Sequence, residues 1–154
     1  MNRVLQGEDA ITIAADAGRI WAILVDGARL PEWASMVKHT TGGRECVDAV
    51  RHCEVEFDGR PGRVTERCVE IVDRGRIAWV MTADSFGFGK MFIDMGFGFT
   101  LEPAEGGATR LRNDTFYQPR NLLASIMSRL MMRGKFRQIR RGVLENLKRL
   151  AEAT

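Results

Sequence analysis

Two histidines and three cysteines are the only imidazole and thiol groups in the 154 residues. Cys46, Cys53 and Cys68 are an odd count without Cys-x-x-Cys spacing, and His39 and His52 complete no zinc-like run. The sequence therefore predicts neither a metal site nor a disulfide framework, and no cofactor is expected. Ser35, Ser85, Ser125 and Ser128 lack a Gly-x-Ser-x-Gly setting, and no Ser/His/Asp order emerges. Nucleophilic catalysis of the hydrolase kind has no support there. No apolar run approaches the ~18 residues that span a bilayer. The start, Met1-Asn2-Arg3-Val4-Leu5-Gln6-Gly7-Glu8-Asp9, turns acidic before an apolar stretch builds, unlike a secretory leader. The expected compartment is the cytoplasm. Internal repeats and low-complexity segments are absent as well.

What is present is an ordinary globular composition, 45% hydrophobic and 28% charged. The length predicts a single domain over residues 1–154, since a second folding unit would leave both halves short of core. The net charge of +3 conceals an asymmetry. Residues 120–154 carry nine Lys/Arg against Glu145 and Glu152, whereas residues 1–119 carry 14 against 18 acidic residues. A basic C-terminal segment is read as a solvated helix face, a surface docked on its own acidic body, or a contact with anionic lipid or nucleic acid. Nucleic acid fits worst, because only Phe136 interleaves an aromatic among these charges.

Val4 to Ala14 reads as a strand, with Ile11 and Ile13 alternating. Asp16 suits the cap of a short helix from Ala17 to Val25, which Asp26-Gly27 breaks. A second short helix is expected over Arg29 to Met36, with Pro31 in its first turn. From Val37 to Tyr117, runs rich in Val, Ile, Thr, Phe and Trp alternate with turn clusters such as Asp58-Gly59 and Gly106-Gly107. They predict antiparallel strands at 37–43, 50–58, 62–72, 76–84, 90–102 and 108–118, seven with the first. In the fifth of these, Met91, Ile93, Met95, Phe97, Phe99 and Leu101 form one apolar row that something must cover. The cover is a helix capped by Asn121 and running to about Ala153. There Phe136, Ile139, Val143, Leu147 and Leu150 recur at helical period, with Gly134 as an expected interruption. The predicted architecture is α+β, a seven-stranded antiparallel sheet wrapped around a long C-terminal helix, with two short helices after the first strand.

This order resembles the START-like superfamily with its helix-grip fold, and within it the polyketide cyclase/dehydrase and lipid transport group. The likeness is carried by Ile13-Ala14-Ala15, by Trp21, Leu24 and Asp26, and by Pro31-Glu32-Trp33. It continues through Val50-Arg51, Glu66 with Val69, Leu101-Glu102-Pro103, Gly107-Ala108-Thr109-Arg110, and Leu147-Lys148 with Glu152. It covers essentially the whole chain and is far more specific for fold than for activity. The resemblance implies a deep cavity between sheet and long helix, open at one end.

Within such a cavity the expected ligand-binding residues are Trp33, Cys53, Val55, Trp79, Phe97 and Phe99, with the adaptable methionines Met81, Met95, Met127 and Met131. Gly96 and Gly98 point the same way by removing side chains from a strand. The same Met and Phe stripes would equally suit a filled core, because period does not distinguish core from lining. Pro61, Gly62, Phe86, Gly87 and Phe88 form two turns suited to a gate. Arg51, Glu66 and Tyr117 are the candidate catalytic or ligand-orienting groups. Arg51 and Glu66 would pair across neighbouring strands if both face inward. The expected function is enclosure of a hydrophobic small molecule, a lipid, polyketide or aromatic metabolite. The alternative is an aromatase/cyclase-type enzyme in which those three residues assist enolisation and dehydration. A third role is peripheral contact of the basic helix with anionic membrane, Leu122 to Met132 inserting. Oligomeric state is not legible.

Overall fold

The computed structural model describes residues 3–153. Seven strands form one antiparallel sheet: β1 (Leu5–Ile13), β2 (Val37–Thr40), β3 (Val50–Phe57), β4 (Arg60–Val72), β5 (Arg76–Asp84), β6 (Phe92–Pro103) and β7 (Thr109–Pro119). Their spatial order is β1-β7-β6-β5-β4-β3-β2, so every neighbour pair but β1–β7 is consecutive in sequence. Short connections dictate this. Asp58 and Gly59 both take positive φ (57° and 75°), the two-residue turn whose twist matches that of antiparallel strands, and Phe57 thereby faces Arg60.

Between β1 and β2 lie α1 (Ala17–Leu24) and, after a 3-10 turn, α2 (Leu30–Trp33). Asp16 starts α1 by accepting a hydrogen bond from the Arg19 N–H at 2.8 Å. A helical turn, α3 (Phe88–Met91), precedes β6. After β7 the chain forms α4 (Leu122–Met127), a π-turn over Ser128–Met132, and α5 (Arg133–Glu152). Asn121 caps α4 through the Ala124 N–H. This is the helix-grip arrangement: the concave face of the sheet holds α5, whose Val143, Leu144, Leu147 and Ala151 are buried with Ile13, Leu24, Ile77, Phe99 and Leu111.

Four details differ from the sequence expectation. The break in the C-terminal helix is the π-turn, not Gly134. The extra residue keeps Ala124, Ser128 and Met132 all facing the sheet, whereas Gly134 sits inside a regular helix with open space around its Cα. The single apolar row of β6 is also interrupted. Asp94 takes a positive φ of 51° at a bulge, and below it Phe92 rather than Ile93 turns inward. Gly96 and Gly98 do not open the cavity through a missing side chain, although the Gly96 backbone forms part of its wall. A Cβ on Gly96 would lie 2.1 Å from the Trp79 carbonyl oxygen, and one on Gly98 would meet the Arg76 guanidinium at 2.6 Å. Both glycines clear the convex face, where Arg76 pairs with Asp114 at 2.8 Å. Finally, β2 stops at Thr40, because the chain leaves the sheet to lie against the 3-10 turn. Gly27 N–H donates to the Gly43 carbonyl at 2.7 Å, and Glu45 N–H to that of Val25 at 2.8 Å.

These contacts give the two glycines opposite sensitivities. Gly96→Ala lowers unfolding free energy by about 1–3 kcal/mol through overpacking against backbone. Gly134→Ala raises it by about 0.5–1 kcal/mol, the ordinary helix-propensity gain. Urea denaturation of both variants checks this; a neutral Gly96→Ala would contradict the close approach.

Candidate functional site

A cavity of about 150 Å³ lies between the concave face and α5. Strand alternation decides what lines it. Arg51, Val55 and Phe57 of β3, Val64 and Glu66 of β4, and Phe97 and Phe99 of β6 all point inward. Met81, Met95, Asn113 and Thr115 complete the sheet wall, α2 contributes Leu30 and Trp33, and α5 closes the space with Phe136, Ile139, Arg140 and Val143. Almost all of this surface is hydrocarbon or aromatic. A void of this size and lining is comparable to one that accepts a benzene ring.

The half-exposed end is aromatic. Phe57 meets Phe88 at 5.3 Å and Phe86 at 6.0 Å between ring centres, and Phe86 meets Phe88 at 5.7 Å. Phe136 of α5 approaches Phe57 at 6.4 Å. One carboxylate shapes the turn that presents two of these rings. Asp84 accepts hydrogen bonds from the backbone N–H groups of Phe86 (2.8 Å), Phe88 (2.9 Å) and Gly89 (3.0 Å). Gly87 adopts the positive φ of 91° that this turn requires. Gly62 leaves room for the Phe86 ring, whose Cζ would be only 2.3 Å from an added Cβ.

The deep wall carries a buried charge cluster. Arg51, 2% exposed, donates through Nε to Glu66 at 2.8 Å and through Nη1 to Glu45 at 2.8 Å. Its Nη2 lies 2.7 Å from Glu66 within the ion pair, but its N–H bonds are not aligned for a hydrogen bond. The guanidinium also stacks over Trp79, 4.5 Å from the ring centre. Burial lowers the Arg51 pKa, but Glu66 and then Glu45 outweigh it, and the net shift is upward. One cation between two carboxylates leaves a surplus of negative charge, which the nearby thiols register. Burial, reinforced by Glu45, pushes Cys68 up to about 11. Burial and then Glu66 push Cys53 up as well. On the opposite side, Arg140 of α5 donates to Asp9 of β1 at 2.8 Å and to the Thr115 hydroxyl at 3.0 Å. Asn113 Nδ2 donates to the Gly98 carbonyl at 2.8 Å.

The expected pairing of Arg51 with Glu66 is present, and both line the cavity. So do Trp33, Val55, Met81, Met95, Phe97, Phe99, Phe86 and Phe88. Cys53 and Trp79 do not; Cys53 contacts Thr40 and Trp79 lies fully buried behind Arg51. Met127 and Met131 are also outside the cavity. The π-turn directs Met132 inward in their place, leaving Met131 65% exposed. Pro61, Gly62 and Gly87 shape the turns without lining the void. Tyr117 is 1% exposed, hydrogen-bonded through its hydroxyl to Ser128 and packed on Phe92 at 4.8 Å, so it ties β7 to the π-turn instead of facing the void. Glu45 is not legible from sequence, since it follows a Gly-Gly-Arg loop that looks solvated. Phe57 and Phe136 carry a signal, because each shares the apolar face of its own element.

Among the described residues, no three His, Cys, Asp or Glu side chains converge as metal ligands, and no helix is long and apolar enough to cross a membrane. Residues 5–152 match the family described as polyketide cyclase/dehydrase and lipid transport. No curated protein matches the chain in sequence. Among solved structures, the chain is similar to the Zhui aromatase/cyclase from Streptomyces sp. R1128, with a TM-score of 0.76, 18% identity and coverage of 95% of this chain and 92% of that one. It is similar to ginseng major latex-like protein 151 from Panax ginseng (TM-score 0.73, 12% identity, 96% and 98% covered). A START superfamily protein from Mycobacterium smegmatis gives 0.70 with 16% identity, over 94% and 97% of the two chains. At these identities the likeness establishes the fold alone.

Two measurements follow from the charge cluster. Arg51→Met alone strands Glu45 and Glu66 in the interior and destabilises by about 3–5 kcal/mol, whereas adding Glu45→Gln and Glu66→Gln recovers part of that loss. Chemical denaturation distinguishes the two; an equal or greater loss in the triple variant would refute the coupling. For the thiols, a disulfide reagent at mildly alkaline pH modifies only exposed Cys46 in the folded protein and all three cysteines after unfolding. Because Cys68 keeps its proton to about 11 when folded, its contribution to stability is complete below pH ~9 and falls as pH rises toward 11.

Proposed function

The chain belongs to the polyketide cyclase/dehydrase and lipid transport family, and on that premise we propose that it encloses a hydrophobic small molecule between sheet and C-terminal helix, acting as one domain over residues 1–154. The observation that carries this reading is the apolar cavity of about 150 Å³ inside an otherwise closely packed core. Removing apolar ligand surface from water at about 25 cal/mol per Å² supplies the affinity. The void accommodates one ring or a short alkyl segment. A longer lipid or polyketide enters by displacing Phe57, Phe86 and Phe88, which are only half buried.

Trp33, Val55, Met81, Met95, Phe97 and Phe99 are the proposed contact residues, with Phe86 and Phe88 as the gate. Arg51 and Glu66 form a polar edge that orients a ligand oxygen. Binding is favoured over cyclase chemistry because the polar groups are engaged with one another: Arg51 with two carboxylates, Arg140 with Asp9, and Tyr117 with Ser128. A general base needs a free lone pair within reach of substrate; Glu66 is the one carboxylate among the described cavity-lining residues, and its Oε2 is held by Arg51.

Organic extraction of natively purified protein followed by mass spectrometry identifies a co-purifying apolar molecule. Independently, benzene-sized probes raise the thermal midpoint, by an amount equivalent to about 2.7 kcal/mol at a hundredfold excess over Kd. Val143→Phe fills the void, abolishes the shift and leaves the fold intact. Empty extracts together with probe-insensitive melting of the parent protein would overturn the reading.

A further inference from the structure

We propose that the outer face of residues 120–137 is a docking surface for anionic lipid bilayers. The C-terminal helical segment has two faces with different fates. Its inner side buries Ala124, Ser128 and Met132 against Phe92, Met95 and Tyr117. Its outer side leaves large apolar side chains in water: Leu122 is 76% exposed, Leu123 70%, Ile126 45%, Leu130 80% and Met131 65%. Five such residues within ten positions make a contiguous apolar patch, the kind that marks an interaction site on a globular protein.

Charge selects the partner. Between Asp114 and Glu145 the sequence holds no acidic residue. Arg120, Arg129, Arg133 and Arg137 are all exposed around and beyond the patch, and among the described residues none forms an ion pair. Lys135 is engaged with Asp58 and Arg140 with Asp9, so they do not contribute. Exposed leucines bordered by unpaired arginines fit the boundary between acyl chains and anionic headgroups: the apolar side chains enter the hydrocarbon and the guanidiniums meet phosphate or carboxylate.

Other occupants fit less well. In a two-fold dimer this face would meet its own copy, bringing arginine against arginine. A polynucleotide would satisfy the arginines and leave the five apolar side chains wet. The inference does not depend on the cavity being occupied, although the π-turn that positions the patch also carries Ser128 and Met132 on its inner side, beside Tyr117 and Met95.

Vesicle sedimentation tests it, with full-length protein and two compositions: phosphatidylcholine alone, and phosphatidylcholine with about 30% phosphatidylserine. The parent protein sediments with the anionic vesicles and about tenfold less with the neutral ones, and raising salt from roughly 50 to 300 mM weakens the anionic binding. The double variant Leu123→Glu, Leu130→Glu retains its melting temperature, since both side chains are exposed, and loses binding to both compositions. The double variant Arg129→Gln, Arg133→Gln loses only the preference for phosphatidylserine. No sedimentation at low salt overturns the proposal. Undiminished binding by the glutamate variant overturns it as well, since that would be adsorption by charge alone. A concentration-dependent mass in analytical ultracentrifugation that the glutamate variant abolishes assigns the face to a second copy instead.

Discussion

A strongly curved sheet has more concave surface than one helix can cover, and this mismatch underlies the whole molecule. Seven antiparallel strands, neighbours in chain order from β2 to β7, curl into an open trough. A helix with its side chains is only about 10–12 Å across. Where α5 lies close, at Leu144, Leu147 and Ala151, the interior is solid. Away from that contact, aromatic side chains from β3, the β5–β6 turn and α5 lean in from the walls, and a void remains between them. The cavity is therefore a geometric consequence of the architecture, and its chemistry is a consequence of strand alternation.

Burying an arginine in such a wall requires its charge to be balanced, and the chain meets this from two directions. Glu66 arrives by cross-strand register, directly opposite Arg51 in the β3–β4 pair. Glu45 arrives through the loop that docks on Gly27 and Val25, which links the helical insertion after β1 to the sheet wall. Breaking a buried pair costs far more than an exposed one, because a lone charge would remain in low dielectric. The cluster thus fixes the loop as much as the loop fixes the cluster. Arg140 plays a similar part on the far side: it ties α5 to β1 through Asp9, and Gly7 leaves the space it occupies. The two guanidiniums thus tie down the loop before β3 on one side and α5 on the other.

Much of this was legible in residue order. Asp16 and Asn121 announce their helices because a side-chain oxygen is needed where backbone N–H groups have no partner. The alternation of Arg51, Cys53, Val55 and Phe57 fixes one face of β3, and Phe97, Phe99 and Leu101 fix that of β6. The failures have a common form. Gly96 and Gly98 read as openings, yet their missing side chains make room on the other face of the sheet. Met131 reads as lining, yet one extra residue in the π-turn turns Met132 inward in its place. Tyr117 reads as a ligand-orienting hydroxyl, yet it shares a hydrogen bond with Ser128, eleven residues on across a turn.

Local chemistry and periodicity, which act over a few residues, determined the strands, their turns, the helix caps and the apolar stripe of α5, and hence the fold. Whether an inward side chain meets a void or a neighbour depends on atoms from elements far apart in sequence. Only the packed structure decided that Glu45 completes the charge cluster, that Trp79 supports the wall from behind, and that Leu122, Leu123 and Leu130 face outward. Periodicity gives a direction for each side chain, and tertiary packing alone supplies what lies there.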